Sequence, residues 1–369
     1  MKKNLLVYIE DPRFGGPHQY TLNVLDYLRK KFKIKILFSS IENEIFLKKV
    51  KEKKINFDTL PICFLSTKFL NILRYIFYFV FDLCKLRNYI KKKSVDIIYS
   101  TSGFYSIKII IASLFLNKKI IVHFHDTFCN VIFLKLGFFS KNFIDLFIFS
   151  SLRSFAFYKN LIGKGRYFIT QSAIKIPNRK KYYKNKIKKN FDIVTVSNIN
   201  PVKRIELLLK LAMRLKDRNI RFHLIGKVWK SQINYNNKIR QMVKINRLSN
   251  FFFYNFGNKE KVGKILLNSD LYLCVSKYES SPMSVWEAMS FSLPILSSNV
   301  GDLDYFNKKY NFGFIVKKTK IQNLEKKILE IYSNKNLREK LGKNARKFVS
   351  NKIDIKKTMN NFQKNFFKV

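Results

Sequence analysis

The sequence has few cysteines, few acidic residues and no long uninterrupted hydrophobic run. Its four cysteines lie far apart, form no CxxC pair and have no histidine spaced to complete a zinc site. Neither a disulfide framework nor a metal site is therefore expected, and this cysteine usage fits a reducing cytoplasm. The cysteines are Cys63, Cys84, Cys129 and Cys274.

The longest apolar stretches, around residues 69–86 and 130–157, are both interrupted by charged residues. Neither supplies the roughly 18 uninterrupted apolar residues of a membrane-spanning helix, so we predict none. The N-terminal residues MKKNLLVYIEDP have only a short apolar run before Glu10, which is typical of an opening strand rather than a secretory signal. We expect a cytoplasmic protein, and peripheral contact with the inner face of the cell membrane stays open.

Acidic side chains are scarce: 24 Asp and Glu stand against 72 Lys and Arg, which gives a formal net charge of +48. Such a surface attracts phosphates on nucleotides, nucleic acids or an anionic membrane. No helix-turn-helix, zinc-finger, RRM or KH signature accompanies the charge, and lysines outnumber arginines, so specific nucleic-acid binding is the weaker alternative. A hydrophobic fraction of 47% excludes a disordered or collagen-like chain.

Strand-like and helix-like segments alternate along all 369 residues, a length that suggests two domains. In the first half a strand at 4–9 leads into the loop EDPRFGGP and a helical segment, and further strands are predicted at 34–38, 97–99 and 120–124. This alternation indicates an α/β fold with a parallel sheet covered on both faces.

The basic stretch RKKYYKNKIKKN marks a domain boundary, after which the alternation resumes. We predict domains at 1–180 and 181–350, and a C-terminal helix at 351–369 that could pack back onto the first domain. Two doubly wound domains would then face each other across a cleft, where ligands bind beyond the carboxyl ends of the strands. Strands in the second domain are predicted at 191–197, 220–226, 251–256, 271–275 and 294–297, with helices between them.

The segment VSKYESSPMSVWEAMSFSLPILSS carries the sharpest combination of polar residues. A helix is predicted to start near Pro282, with Ser281 as its N-cap, and the free amides and dipole of its first turn would attract an anion. Glu279 and Glu287 can both point into one cleft as acceptors for sugar hydroxyls. Taken alone, this spacing is more typical of an ordinary helix start with solvated carboxylates. Lys203 opens an earlier helix after a strand, where its ammonium could neutralise a diphosphate.

Several motifs of the second half, in the same order, resemble the catalytic domain of the family 4 (group 1) glycosyltransferases of GT-B fold. The first half is a weaker match, through its Gly15-Gly16 loop and the segments IIYSTSG, IIVHFHD and IPN. Together the likeness covers nearly the entire chain. The motifs of the second half are NPVKRIELLLKLA, FHLIG, FGN, SDLYLCVS, ESSPMSVWEAM, LPILSSNVGDLDYF and NFGFIV.

The resemblance implies a retaining, metal-independent transfer of a hexose from a nucleotide-sugar, which is a substrate and not a cofactor. The acceptor would be lipid-linked or a polysaccharide, in cell-surface glycan biosynthesis of the lipopolysaccharide, capsule or O-antigen type. An inactive glycosyltransferase-like scaffold is the alternative. The resemblance implies that His125 and Glu279 contact the sugar and that Glu287 binds the ribose. It implies that Lys203 and the backbone of Ser281, Pro282, Met283 and Ser284 bind the diphosphate. Asn258 would lie near the base, and Gly16 would let the donor approach closely.

Two positions depart from the family pattern. Where the family commonly has a Gly-Arg pair, this chain has Ser197-Asn198, so one phosphate contact is absent or comes from another residue such as Arg204. The usual glycine after IPN is Arg179, which makes the hinge atypical. Sugar, nucleotide base and linkage stay open.

Two basic, aromatic segments of the first half also leave two interpretations open: LNILRYIFYFVFDLCKLRNYIKKK (70–93) and NVIFLKLGFFSKNFIDLFIFSSLRSF (130–155). Their mixture of Phe, Leu and Ile with scattered cations is typical of helices that rest in a membrane interface. It is equally typical of core helices in a chain with a lysine-rich composition. Of the histidines, His125 ends a strand where a side chain reaches a ligand, whereas His123 is expected to serve packing.

Overall fold

The computed structural model describes residues 2–10, 14–38, 44–63, 69–179, 189–255 and 259–367. The chain divides into two compact units. The first comprises Met1–Ser172 together with Thr358–Val369, and the second comprises Ala173–Lys357. Each unit has its own hydrophobic core.

The first unit is built on a seven-stranded parallel sheet. Its strands are β1 (Asn4–Ile9), β2 (Lys33–Phe38), β3 (Asn56–Thr59), β4 (Ile97–Ser100), β5 (Lys119–Phe124), β6 (Leu146–Phe149) and β7 (Tyr167–Ile169). The order β3-β2-β1-β4-β5-β6-β7 means that the winding direction reverses between β1 and β4. The central strands β1, β4 and β5 are buried along almost their whole length because helices cover both faces of the sheet.

The second unit contains a six-stranded parallel sheet of the same design. Its strands are β8 (Phe191–Val196), β9 (Ile220–Gly226), β10 (Phe251–Asn255), β11 (Leu271–Cys274), β12 (Ile295–Ser298) and β13 (Gly313–Val316). The order β10-β9-β8-β11-β12-β13 places the reversal between β8 and β11. Ligands of doubly wound sheets bind outside the carboxyl ends of the strands at such a reversal.

Helices connect the strands and form the outer layers. They are α1 (Gly16–Leu28), α2 (Glu44–Glu52), α3 (Phe69–Phe77), α4 (Phe79–Lys92), α5 (Ile107–Ala112), α6 (Val131–Ser140), α7 (Leu152–Ile162), α8 (Ile205–Arg214), α9 (Ile233–Ile245), α10 (Lys259–Asn268), α11 (Met283–Ser290), α12 (Leu303–Tyr310), α13 (Ile321–Ser333), α14 (Lys335–Lys352) and α15 (Ile355–Phe366). In the described part of the chain, none is long and apolar enough to cross a bilayer.

The two doubly wound sheets confirm the α/β class predicted from the alternation of segments. One segment was interpreted wrongly: residues 130–157 have the pattern of a helical region, but they contain the buried strand β6 between α6 and α7. An apolar run of four residues, LFIF, fits a buried strand or a buried helix turn equally well, and only its place in the sheet decides.

The C-terminal helix α15 packs in the first unit. The Phe366 ring lies 5.9 Å from that of Phe32 and 5.5 Å from that of Tyr99, measured between centroids. The side-chain amide of Gln363 donates to the carbonyl of Tyr27 at 3.1 Å. The core of the first unit therefore includes side chains from both ends of the sequence.

Candidate functional site

Lys203 and Glu279 meet beside the reversal point of the second sheet. Lys203 lies in a 3-10 turn, Pro201–Lys203, after β8, and Glu279 lies in the loop after β11, the neighbouring strand. The Lys203 ammonium donates to the Glu279 carboxylate, and each side chain is only 20% exposed. Two of the residues predicted from sequence, 76 positions apart in the chain, are thus brought into direct contact.

The surroundings of this ion pair keep the Lys203 ammonium charged. Burial works to lower the pKa of Lys203, but the adjacent Glu279 carboxylate outweighs it, and the pKa is raised. The ammonium therefore carries its charge throughout the physiological range. A fixed positive charge with a single carboxylate partner can exchange that partner for a phosphate oxygen.

The Glu279 loop is held by close backbone contacts. The amide of Gly301 donates to the Glu279 carbonyl at 2.9 Å. Gly301 has a φ of +52°, and a Cβ there would lie 2.3 Å from the carbonyl oxygen of Ser280. Glycine is required here for both reasons, because other residues rarely adopt this φ and any side chain would collide with the loop. The Ser298 hydroxyl also donates to the Ser276 carbonyl at 2.6 Å.

Arg204 fastens the Lys203 turn to the same loop. Its Nε donates to the Val275 carbonyl at 2.5 Å, one Nη to the Ser276 carbonyl at 3.0 Å, and the other Nη to the Thr319 hydroxyl at 2.8 Å. These bonds use three of the five guanidinium N–H groups and hold the loops after β8 and β11 together. Replacement of the missing phosphate contact by Arg204 stays a prediction.

Helix α11 starts one residue later than the sequence predicts. Pro282, with φ −76° and ψ 86°, is the N-cap, and Met283 is the first helical residue. Ser281 precedes this cap, and its hydroxyl accepts a hydrogen bond from the indole Nε1 of Trp286 at 3.2 Å. The Val285 and Trp286 amides both donate to the Pro282 carbonyl, at 2.9 Å and 3.2 Å, so the partial positive charge of the helix N-terminus beside the Glu279 loop is centred on the Met283 and Ser284 amides.

The remaining predicted residues are distributed as follows. Glu287 lies partly exposed on the second turn of α11, while Ser284 lies partly exposed in the first turn. Asn258 is outside the described residues. Gly16 is the first residue of α1 in the first unit, where Gly15 is the cap.

His125 directly follows β5 at the carboxyl edge of the first sheet. A hydrogen bond of 2.7 Å joins its Nδ1 to the Ser150 hydroxyl, which also bonds Nε2 of His123 at 3.1 Å. The Tyr99 hydroxyl bonds Nδ1 of His123 at 2.7 Å. His123 therefore does more than pack, and Tyr99 and Ser150 are polar partners that sequence analysis missed, since nothing in a single strand shows what lies opposite it on the next.

Burial, with a smaller contribution from His18, lowers the pKa of His125 to about 3. Burial, with a smaller contribution from the neighbouring His125, likewise lowers the pKa of His123. Both imidazoles are therefore neutral at physiological pH.

Asp126, the next residue along the chain, has a different partner. Its Oδ1 accepts a hydrogen bond from the Tyr158 hydroxyl at 2.5 Å. Burial raises the pKa of Asp126 to about 7, although the Tyr158 hydrogen bond works in the opposite direction. This carboxyl is thus partly protonated near neutral pH.

Residues 178–348 match the family model described as "Glycosyl transferases group 1". An uncharacterized glycosyltransferase of Methanocaldococcus jannaschii is 29% identical over 219 residues, which cover 52% of this chain and 59% of that protein. The poly(ribitol-phosphate) alpha-N-acetylglucosaminyltransferase of Staphylococcus aureus is 27% identical over 190 residues, which cover 50% of this chain and 36% of that protein. The chain thus spans less than two thirds of the length of these curated relatives.

Among solved structures, Anabaena HepE in complex with UDP superimposes with a TM-score of 0.81 at 16% identity, over 99% of this chain and 100% of that chain. This likeness establishes the fold, and with the two doubly wound sheets it confirms the expected GT-B architecture. The second half of the chain is thus similar in sequence to the group 1 glycosyltransferases, and the whole chain shares the fold of HepE.

Proposed function

We propose that this protein transfers a hexose from a nucleotide-sugar to an acceptor, with retention of anomeric configuration and without a metal ion. The observation that carries the proposal is the contact between Lys203 and Glu279 at the reversal point of the second sheet. A cation, a carboxylate and a helix N-terminus at the carboxyl edge of the strands match the parts of a sugar diphosphate. The Staphylococcus relative, named as an N-acetylglucosaminyltransferase, supports the same reaction class.

The proposed donor complex involves an exchange of partners. The donor diphosphate takes over the Lys203 ammonium, and Glu279 is released to accept hydrogen bonds from the hydroxyls of the sugar. The backbone of residues 281–284 binds phosphate, Glu287 binds the ribose and Asn258 lies near the base. As the bond between the anomeric carbon and the diphosphate breaks, the Lys203 ammonium and the helix dipole stabilise the negative charge that develops on the diphosphate. In other enzymes a bound metal ion has this role.

We further propose that the first unit takes a lipid-linked or polysaccharide acceptor at an anionic membrane surface. Helix α6, VIFLKLGFFS, has apolar side chains all round, a pattern that belongs in a core or a membrane. Its inner face packs on the core through Phe133, and through Gly137, where a Cβ would come within 2.5 Å of the Phe104 ring. The outer face nevertheless exposes Ile132 by 65% and Phe139 by 76%.

Charge supports the same orientation of α6. Lys135 is exposed on the helix, and the Lys141 ammonium at its end lies 4.0 Å from the centre of the Phe138 ring. The helix contains no carboxylate. Apolar side chains interleaved with unopposed cations are the combination that binds the interface of an anionic bilayer. Acceptors of cell-surface glycan synthesis reside at such a surface, so we place the protein at the inner face of the cell membrane.

Transfer assays test the proposed chemistry. Thermal stabilisation by UDP-, GDP- and ADP-hexoses first identifies the donor, since a ligand of the folded state raises the melting temperature. We then expect Lys203→Ala and Glu287→Ala to lower transfer at least about 100-fold, the loss of charge-assisted contacts that act in the transition state. Lys210→Ala, an exposed lysine of α8, is the matched control and should transfer normally. Wild-type rates in either site variant would contradict the assignment, and release of the nucleoside diphosphate separates an enzyme from an inactive scaffold.

Vesicle sedimentation tests the membrane surface. The wild-type protein should pellet with phosphatidylglycerol vesicles and remain in solution with phosphatidylcholine vesicles. The double variant Ile132→Ser, Phe139→Ser should lose most of this binding. Ile233→Ser with Ile245→Ser, two exposed apolar residues of the second unit, is the control for general hydrophobicity. Equal binding by both double variants would refute the surface.

A further inference from the structure

Four polar side chains at the carboxyl edge of the first sheet form one continuous chain of hydrogen bonds. Tyr99 lies on β4, His123 on β5, His125 just after β5, and Ser150 just after β6. The bonds run from the Tyr99 hydroxyl to His123, from His123 to the Ser150 hydroxyl, and from Ser150 to Nδ1 of His125. The two imidazole rings lie 3.9 Å apart between centroids. Three adjacent parallel strands thus hold the whole series in register.

The direction of the hydrogen bonds follows from counting protons. A neutral imidazole has one donor nitrogen and one acceptor nitrogen, and a hydroxyl has one proton to donate. If the Tyr99 hydroxyl donates to Nδ1 of His123, the proton of His123 must lie on Nε2 and be donated to the Ser150 oxygen. The Ser150 hydroxyl then donates to Nδ1 of His125. The proton of His125 therefore lies on Nε2.

The opposite direction leaves a buried proton without an acceptor. His125 would donate from Nδ1 to Ser150, Ser150 to His123, and His123 to the Tyr99 oxygen. The proton of Tyr99, a fully buried residue, would then need another acceptor, and the described hydrogen bonds of its hydroxyl include only the one to His123. An unsatisfied buried O–H costs about 1 to 3 kcal/mol, so the first direction is favoured.

We propose that Tyr99, His123 and Ser150 are positioning residues that fix His125 as the neutral tautomer with its proton on Nε2, so that it donates a hydrogen bond to an oxygen of the sugar substrate. Nε2 of His125 is buried and has no hydrogen-bond partner in the described part of the chain. A buried donor without a partner in the protein requires one from outside it, such as a ligand or an ordered water. His125 thus acts as an N–H donor and not as a general base, because its Nδ1 is already occupied. This inference rests on the proposed glycosyl transfer.

Nitrogen NMR of the imidazoles tests the tautomer directly. With only four histidines in the chain, a long-range proton–nitrogen spectrum of the full-length protein labelled at histidine is tractable, and His125→Asn and His123→Asn assign its signals. We expect the protonated nitrogen of both His125 and His123 to be Nε2. Protonation of His125 at Nδ1 in the wild-type protein would overturn the proposal.

Variants of Ser150 and Tyr99 test the positioning role. Ser150→Ala removes the donor to Nδ1, and we expect a mixture of His125 tautomers with a fall in kcat on the order of tenfold, equivalent to one hydrogen bond. Ser150→Thr keeps the hydroxyl and should restore both the Nε2 tautomer of His125 and the wild-type kcat. Tyr99→Phe should alter the His125 tautomer although Tyr99 forms its bond to His123. An unchanged His125 tautomer in Ser150→Ala and Tyr99→Phe would overturn the proposed positioning of His125 by this chain of hydrogen bonds.

The two proposals fail separately. A wild-type protein with the expected tautomer but no transfer of any sugar would refute glycosyl transfer and leave the proposed positioning of His125 intact. Normal transfer by a protein whose His125 is protonated on Nδ1 would refute only the positioning of His125.

Discussion

Replacing Asp126 by asparagine should stabilise the protein at high pH. Burial raises the pKa of Asp126 to about 7 in the folded state, from an ordinary value of 3.8. Below pH 3.8 the carboxyl is neutral in both states and contributes no penalty. As the pH rises towards 7, the unfolded state loses its proton first, so the free energy of unfolding falls and then levels off above the folded pKa. A shift of about three pKa units corresponds to about 4 kcal/mol.

Asp126→Asn removes the cost of burying a charged carboxylate and keeps a side-chain oxygen that can accept a hydrogen bond from the Tyr158 hydroxyl. Urea unfolding followed by circular dichroism between pH 4 and pH 8 measures the difference between variant and wild type. We expect that difference to grow by up to about 4 kcal/mol in favour of the variant as the pH rises, with most of the change below pH 7. Asp217→Asn, at an exposed carboxylate, is the matched control for the loss of one negative charge. A difference that stays flat for Asp126→Asn, or grows as the pH falls, would refute the burial argument.

Three further predictions concern the loops and the helix cover. Gly301→Ala should lower the free energy of unfolding by about 2 kcal/mol or more and raise the Kd for the donor, because the new Cβ pushes on the Ser280 carbonyl; calorimetry and donor titration measure both effects, and normal donor binding would argue against it. Arg204→Lys keeps the charge but loses the planar fork to Val275, Ser276 and Thr319, so melting should occur several degrees lower; an unchanged melting temperature would show that the fork is dispensable. Gly137→Ala should loosen α6, detected as faster amide exchange in that helix, whereas protection equal to wild type would contradict the tight contact with Phe104.

Sequence patterns predict the central strands of both sheets well. Parallel strands covered on both faces are mostly apolar, so FDIVTV and KIIVHF are recognisable without any tertiary information despite the polar residues in each. The edge strand β3, NFDT, lacks this pattern because it is less covered, and β6 is hidden inside a longer apolar stretch. An apolar run can be recognised as a strand from the sequence only where polar residues mark its ends.

The candidate site could be predicted in part. The motif carrying Glu279 identified one side of the site, and the position of Lys203 after a strand identified the other, because the carboxyl ends of neighbouring strands share an edge. Their pairing could not be predicted, since it depends on the strand order, which brings β8 beside β11. The prediction of Ser281 as the cap was wrong because the helix is capped one residue later, at Pro282, and the Ser281 hydroxyl bonds Trp286, a side-chain contact that spacing does not reveal.

The contribution of α15 to the first unit has a consequence for biosynthesis. Phe362 of this helix lies 6.4 Å from His123 and 5.4 Å from Phe168 between ring centroids, while Phe366 covers Tyr99. A ribosome translates these aromatic residues only after the entire second unit. The first unit of the nascent chain therefore keeps part of its core exposed until α15 is synthesised, and the packing of Phe362 and Phe366 against His123 and Tyr99 is among the last steps of folding. Chains truncated before α15 by a premature stop codon should keep this part of the core exposed and be degraded preferentially by cellular proteases.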